Sequence, residues 1–147
     1  MIRSMIAAIA FVASTATAFA GMVTVESAHD VKTTIDRLEA AVNKGGATVF
    51  ARIDHKANAE SVGMSLAPST VLIFGNPKGG TPLMNISPEI GLDLPLRVHA
   101  FEKDGKTVMM YHDPVGVAKT HGIPTDHKAV LGAAGALKKL TGVAGGN

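Results

Sequence analysis

Apolar residues at Val31, Ile35, Leu38 and Val42 recur at helical spacing, and Gly45-Gly46 ends the run. That interval predicts a helix with one buried stripe. Ahead of it, Met22–Val25 alternates as a strand does, and Ser27 or Asp30 is placed to cap the helix. Behind it, Ala47–Ile53 is β-branched and apolar, stopping at Asp54-His55. A short helix is expected over Ala57–Met64, closed by Gly63 and Pro68, and a buried strand over Thr70–Phe74. Residues 79–92, broken by Pro82 and Pro88, are expected to be a short helical turn and loop. Leu94–Glu102 and Lys106–Tyr111 flank Asp104-Gly105, a strong hairpin signal. Asp113-Pro114 then starts a helix that runs to about His121-Gly122. Within His127–Leu140, Val130, Leu131, Ala134, Leu137 and Leu140 share one apolar side. Its glycines and alanines permit close helix packing but weaken the helix.

Strands and helices are mixed, and strict alternation fails in the second half. The expected class is therefore α+β: a mostly antiparallel sheet with helices packed on one face, in a single domain. The domain spans residues 21–141, and residues 142–147 are expected to form a flexible tail.

The opening MIRSMIAAIAFVASTATAFA changes the picture of where the protein works. One positive charge at Arg3, an apolar stretch around Met5–Val12 and the Ala18-Phe19-Ala20 site make a secretory signal peptide over residues 1–20. The apolar stretch falls short of a membrane span. A periplasmic or secreted chain beginning at Gly21 is expected, with no membrane insertion after cleavage. The chain has no cysteine, which removes thiolate and disulfide chemistry. Without Arg3 there are 13 basic against 12 acidic residues, no basic block and few aromatic residues. Nucleic acid is excluded as an expected partner.

Several blocks occur in order: Phe50-Ala51-Arg52-Ile53-Asp54-His55, Asn58, Leu72-Ile73-Phe74-Gly75-Asn76-Pro77, Gly80-Thr81-Pro82-Leu83-Met84, Asp93-Leu94-Pro95-Leu96, Tyr111 with Asp113-Pro114, and His121-Gly122-Ile123. In these the chain resembles the domain-of-unknown-function 302 family, across about Val23–Ile123. The resemblance implies a compact α+β domain, found alone or attached to other modules, often outside the cytoplasm. It implies no reaction. Met109-Met110 stands where the family tends to have an aromatic residue, and His112 where asparagine is usual.

The stretch GNPKGGTP, residues 75–82, follows a predicted strand and suggests a phosphate loop. A Walker loop needs its lysine after the final glycine and a Ser or Thr next. Here Lys78 precedes Gly79-Gly80, and Pro77 and Pro82 remove two donors. A cradle is possible only if free N–H groups of Gly79, Gly80 and Thr81 open a helix. A tight connection with Asn76 bonding its own backbone is the simpler reading.

Five polar residues at element ends are candidates for ligand binding: His55, Asn76, Tyr111, Asp113 and His121. Asp54 beside His55 could orient the imidazole, or cap the next helix. His121 suits a helix C-terminus. His99 and His112 are the metal candidates. A two-residue Asp104-Gly105 turn pairs Lys103 with Lys106 and His99 with Met110, and sets Arg97 opposite His112, so both histidines share a face. His29 and His127 flank helix starts and are expected at the surface. No serine occupies a G-x-S-x-G elbow.

The expected function is an exported small-ligand-binding or accessory module without catalysis. Two alternatives stand beside it: an enzyme using His55 and His121 in acid–base or metal-assisted chemistry, and a homo-oligomerising module packed through the last helix. No cofactor is specified by these residues.

Overall fold

The structure, a computed structural model, describes residues 21–146. The expected leader, residues 1–20, lies outside the described residues. Five strands form one sheet: β1 (Met22–Ser27), β2 (Thr48–Asp54), β3 (Ser69–Gly75), β4 (Leu96–Lys103) and β5 (Lys106–His112). Their order is β1-β5-β4-β3-β2, and every neighbouring pair is antiparallel. The helices are α1 (Val31–Lys44), α2 (His55–Ser61), α3 (Pro77–Ile86), α4 (Pro114–Thr120) and α5 (Lys128–Gly145), with a 3-10 turn over Pro88–Leu92. The class is α+β, as expected. β1 and β2 lie at opposite edges of the sheet, so α1 must cross its face to join them.

Burial explains which face is covered. Along β3, Thr70, Leu72 and Phe74 are buried while Ser69, Val71 and Ile73 are half-buried. Leu72 and Phe74 belong to one cluster with Val98, Ala100 and Met109 of the sheet, Ile35, Leu38 and Val42 of α1, and Leu137 and Ala144 of α5. Each large side chain in such a cluster contributes about 1.5–3 kcal/mol by leaving water. A second cluster of Leu83, Ile90, Ala118, Ile123 and Val130 joins α3, the 3-10 turn, α4 and α5.

Local chemistry sets the boundaries. Asp30 caps α1, accepting from the Thr33 N–H at 2.7 Å. The β4–β5 hairpin turns at Asp104 and Gly105, with φ of 53° and 74°, the double positive φ of a type I′ turn. Its register pairs Lys103 with Lys106 and His99 with Met110, as the turn chemistry predicts. The β2–β3 register shifts between Val49 and Ala51, a bulge that leaves Phe50 unpaired and 56% exposed.

Three expectations need correction. The short helix α2 starts at His55, not Ala57, because Asp54 caps it by accepting from the Ala57 N–H at 3.0 Å. Residues 77–86 form a full helix despite Pro82: Asn76 caps it, Pro77 fills the first position, and Leu83 anchors it in the second cluster. Residues 142–145 are not a tail. They complete α5, with Ala144 and Gly145 buried. Arg37 donates to the carbonyls of Val143 and Ala144 at 2.8 and 3.2 Å, and the Ala28 N–H donates to the Gly145 carbonyl at 2.9 Å. Tertiary contacts override the low helix propensity of this glycine-rich end. Among the described residues no helix is long and apolar enough to cross a membrane.

Deleting residues 142–147 removes the Ala144 burial and both Arg37 partners. The deletion is expected to cost about 2–4 kcal/mol of unfolding free energy in urea titration. An unchanged midpoint and slope would mean that the segment carries no tertiary role.

Candidate functional site

The helical layer does not close over the sheet. α1 and α3 each pack beside α5, and between them runs a cleft of ≈ 1160 Å³. Small residues leave the space open: Ala40 and Ala41 on α1, Gly79 and Gly80 on α3, Gly132, Ala133 and Ala136 on α5. A Cβ built on Gly79 or Gly132 meets nothing within 4 Å, so both positions border open volume. Phe74 and Leu96 of the sheet also line the cleft, as do the exposed Phe50 and Met84. At this bulge Phe50 supplies an aromatic wall to the cleft. Apolar clefts of this size, with few polar groups, are the usual form of a small-molecule site.

The stretch GNPKGGTP lies on this wall, but not as an anion cradle. Pro77 has no N–H. The Lys78 N–H donates to the Asn76 side chain at 2.9 Å, and those of Gly79 and Gly80 to the Asn76 carbonyl at 2.9 and 3.1 Å. The first turn of α3 therefore offers no free donor before Thr81. Its glycines serve the cleft by lacking side chains.

Of the five polar candidates, only Asn76 lines the cleft, and it does so as the cap of α3. Tyr111 is 6% exposed in the main core; burial, foremost, raises its phenol above the ordinary 10.0, opposed by a hydrogen bond with Thr141. Asp113 caps α4 by accepting from the Val115 N–H at 3.1 Å. His121 ends the same helix and bonds Asp93 through Nε2 at 2.7 Å, tying α4 to the loop before β4. His55 begins α2, where its ring stands edge-on to His99 at 5.8 Å.

His55 and His121 do not converge. His55 follows the end of β2 that pairs with Thr70, and Thr70 in turn pairs with Ala100 late in β4. His121 is bound to Asp93, before β4 begins. His99 and His112 fall on one face by register, yet they too have separate surroundings. His99 bonds Ser69 Oγ at 2.8 Å and packs on Phe101 at 4.8 Å, while His112 borders a pocket of ≈ 40 Å³ with Asp93 and Arg97. Among the described residues no three His, Asp or Glu side chains are grouped to hold a metal ion. His127 accepts from the Ala129 N–H through Nδ1 at 3.2 Å and caps α5.

Residues missed by a search for polar chemistry are the ones that shape the cleft. The glycine- and alanine-rich side of α5 was legible in sequence, but it signals close packing and open volume equally.

Burial, and then the neighbouring His55, hold His99 below the ordinary histidine value of 6.5. As pH falls the unfolded chain binds this proton first, so the native state loses stability. The His99 contribution is complete above about pH 6.5 and is lost as pH falls through the window down to its lowered folded value. His99→Gln should flatten that part of the stability profile, measured by urea unfolding between about pH 8 and pH 5. A variant as acid-sensitive as the parent would remove His99 as the cause.

Similarity to known proteins agrees with this architecture. Residues 23–144 match the family model described as Domain of unknown function DUF302. Among curated proteins, the chain is 45% identical over 104 residues to Fluoride-specific ion channel FluC 1 of Brucella suis biovar 1 (strain 1330), covering 70% of this chain and 41% of that protein. The identity to Fluoride-specific ion channel FluC 1 of Brucella abortus biovar 1 (strain 9-941) is also 45% over 104 residues, covering 38% of that protein. The chain therefore spans about two fifths of the length of these relatives. A crystal structure of an uncharacterised conserved DUF302 protein from Bacillus stearothermophilus superposes with a TM-score of 0.74 at 18% identity, covering 84% of this chain and 97% of that one. That likeness shows the fold. The match across nearly all the described residues makes the chain a member of the DUF302 family.

Proposed function

We propose that this protein is an exported small-ligand-binding module without catalysis, acting alone or as an accessory domain. The observation that carries the reading is the ≈ 1160 Å³ cleft, bounded by small residues of α1, α3 and α5 over an apolar floor. Its volume is ample for an organic ligand, and most of its lining is apolar. The caps at Asp54, Asn76, Asp113 and His127 account for polar residues that would otherwise suggest chemistry. The leader-like residues 1–20 support export. The accessory reading draws on the curated relatives, in which the matched segment is part of a much longer chain.

Gly132 supplies the direct test. A side chain there projects into open space, so Gly132→Ala should fold and gain about 0.5–1 kcal/mol from helix propensity. Gly132→Phe should also fold but occupy the cleft. With the neutral fluorescent probe N-phenylnaphthylamine, the parent and Gly132→Ala are expected to bind, and Gly132→Phe to bind at least about tenfold more weakly, the equivalent of about 1.4 kcal/mol. Equal binding by all three would place the probe elsewhere and overturn the reading. For export, intact-mass analysis of the protein recovered from the medium or periplasm should find a chain that begins at Gly21. A mass matching a start at Met1 would remove the leader.

A further inference from the structure

We infer that the cleft takes an amphipathic anion, with its charged head at Lys44 and Lys139 and its apolar body against Phe50, Phe74 and Leu94. The inference rests on the proposed reading of the cleft as a ligand site and names the chemistry it selects. The charged side chains of the lining are Arg37, Lys44 and Lys139, with no aspartate or glutamate among them. Arg37 is occupied by the carbonyls of Val143 and Ala144. Lys44 and Lys139 are exposed, and among the described residues neither has a carboxylate partner.

The local role of a terminal lysine accounts for one of them only. Lys44 sits in the last turn of α1, where a cation suits the helix dipole. Lys139 lies well inside α5 and has no such reason to be there. The other place for an anion, the start of α3, is closed because Asn76 takes the N–H groups of Lys78, Gly79 and Gly80. An apolar trough with positive charge at its rim and no negative charge in its lining favours one polarity of ligand. The methylene stems of the lysines extend the apolar wall while their ammonium groups meet the head in water. A carboxylate such as that of a medium-chain acyl anion has this form.

The test is displacement of N-phenylnaphthylamine from the purified protein by three ligands of equal chain length below their micellar concentrations: decanoate, decanol and decyltrimethylammonium. Decanoate should compete about fivefold better than decanol, the scale of two exposed ion pairs, and the cation worst. Added salt should shrink the preference. In Lys44→Met/Lys139→Met, which keeps apolar stems of similar length and removes both charges, the neutral probe and decanol should stay within about twofold of their parent affinity, and decanoate should fall to the level of decanol. Both substitutions are at exposed positions, and an unchanged thermal midpoint confirms folding.

If the probe binds but decanoate is no better than decanol, the anion selectivity is wrong and the cleft reading stands. A decanoate preference that survives in the double variant would overturn the lysine assignment. A protein that binds no probe would overturn the cleft reading and this inference together. Sedimentation showing a dimer that decanoate dissociates would make a second copy the natural occupant, and would likewise overturn it.

Discussion

One helix has to satisfy two demands at once, and the site follows from how α5 does so. One side of it buries Leu137, Thr141 and Ala144 against α1 and the sheet. An adjacent side carries Gly132, Ala133 and Ala136, which are too small to reach α1 and α3 on either flank. The first side pins the helix, with Arg37 of α1 holding its last carbonyls. The second leaves the layer unfilled. Protein interiors are close-packed because voids forfeit contacts, so a gap of this size persists only where it is open to solvent or ligand.

The rest of the structure keeps that gap in shape. α1 is fixed at its start by Asp30 and along its length by Ile35, Leu38 and Val42. α3 is held from below by Leu83 in the second cluster and at its start by Asn76. The bulge at Phe50 directs an aromatic ring to the mouth. These supports come from α1, α3 and the bulge of β2, and Val42, Phe50, Asn76 and Leu83 among them also line the cleft.

Much of the fold was legible because its signals are local. The Asp104-Gly105 turn determined the hairpin register down to the His99–Met110 pair. The spacing of Val31, Ile35, Leu38 and Val42 marked α1 and its buried stripe. Where tertiary contacts dominate, local signals misled: Gly142–Gly146 reads as a frayed end, yet Ala144 and Gly145 are buried. The site was less legible still. Histidines and carboxylates draw notice as chemistry, but Asp54, Asp113 and His127 are caps, and His121 is a latch on Asp93. The cleft is built from absent side chains, and an alanine or glycine in sequence does not reveal whether a neighbour fills the space above it.

The central claim, that ligand enters between α1, α3 and α5, is tested most directly by backbone amide NMR during titration with N-phenylnaphthylamine. The account predicts shifts concentrated at Ala40, Ala41, Gly79, Gly80, Gly132 and Ala136, with the His55 and His99 amides still. Shifts confined to the His55–His99 side of the sheet, or spread evenly over the surface, would contradict it.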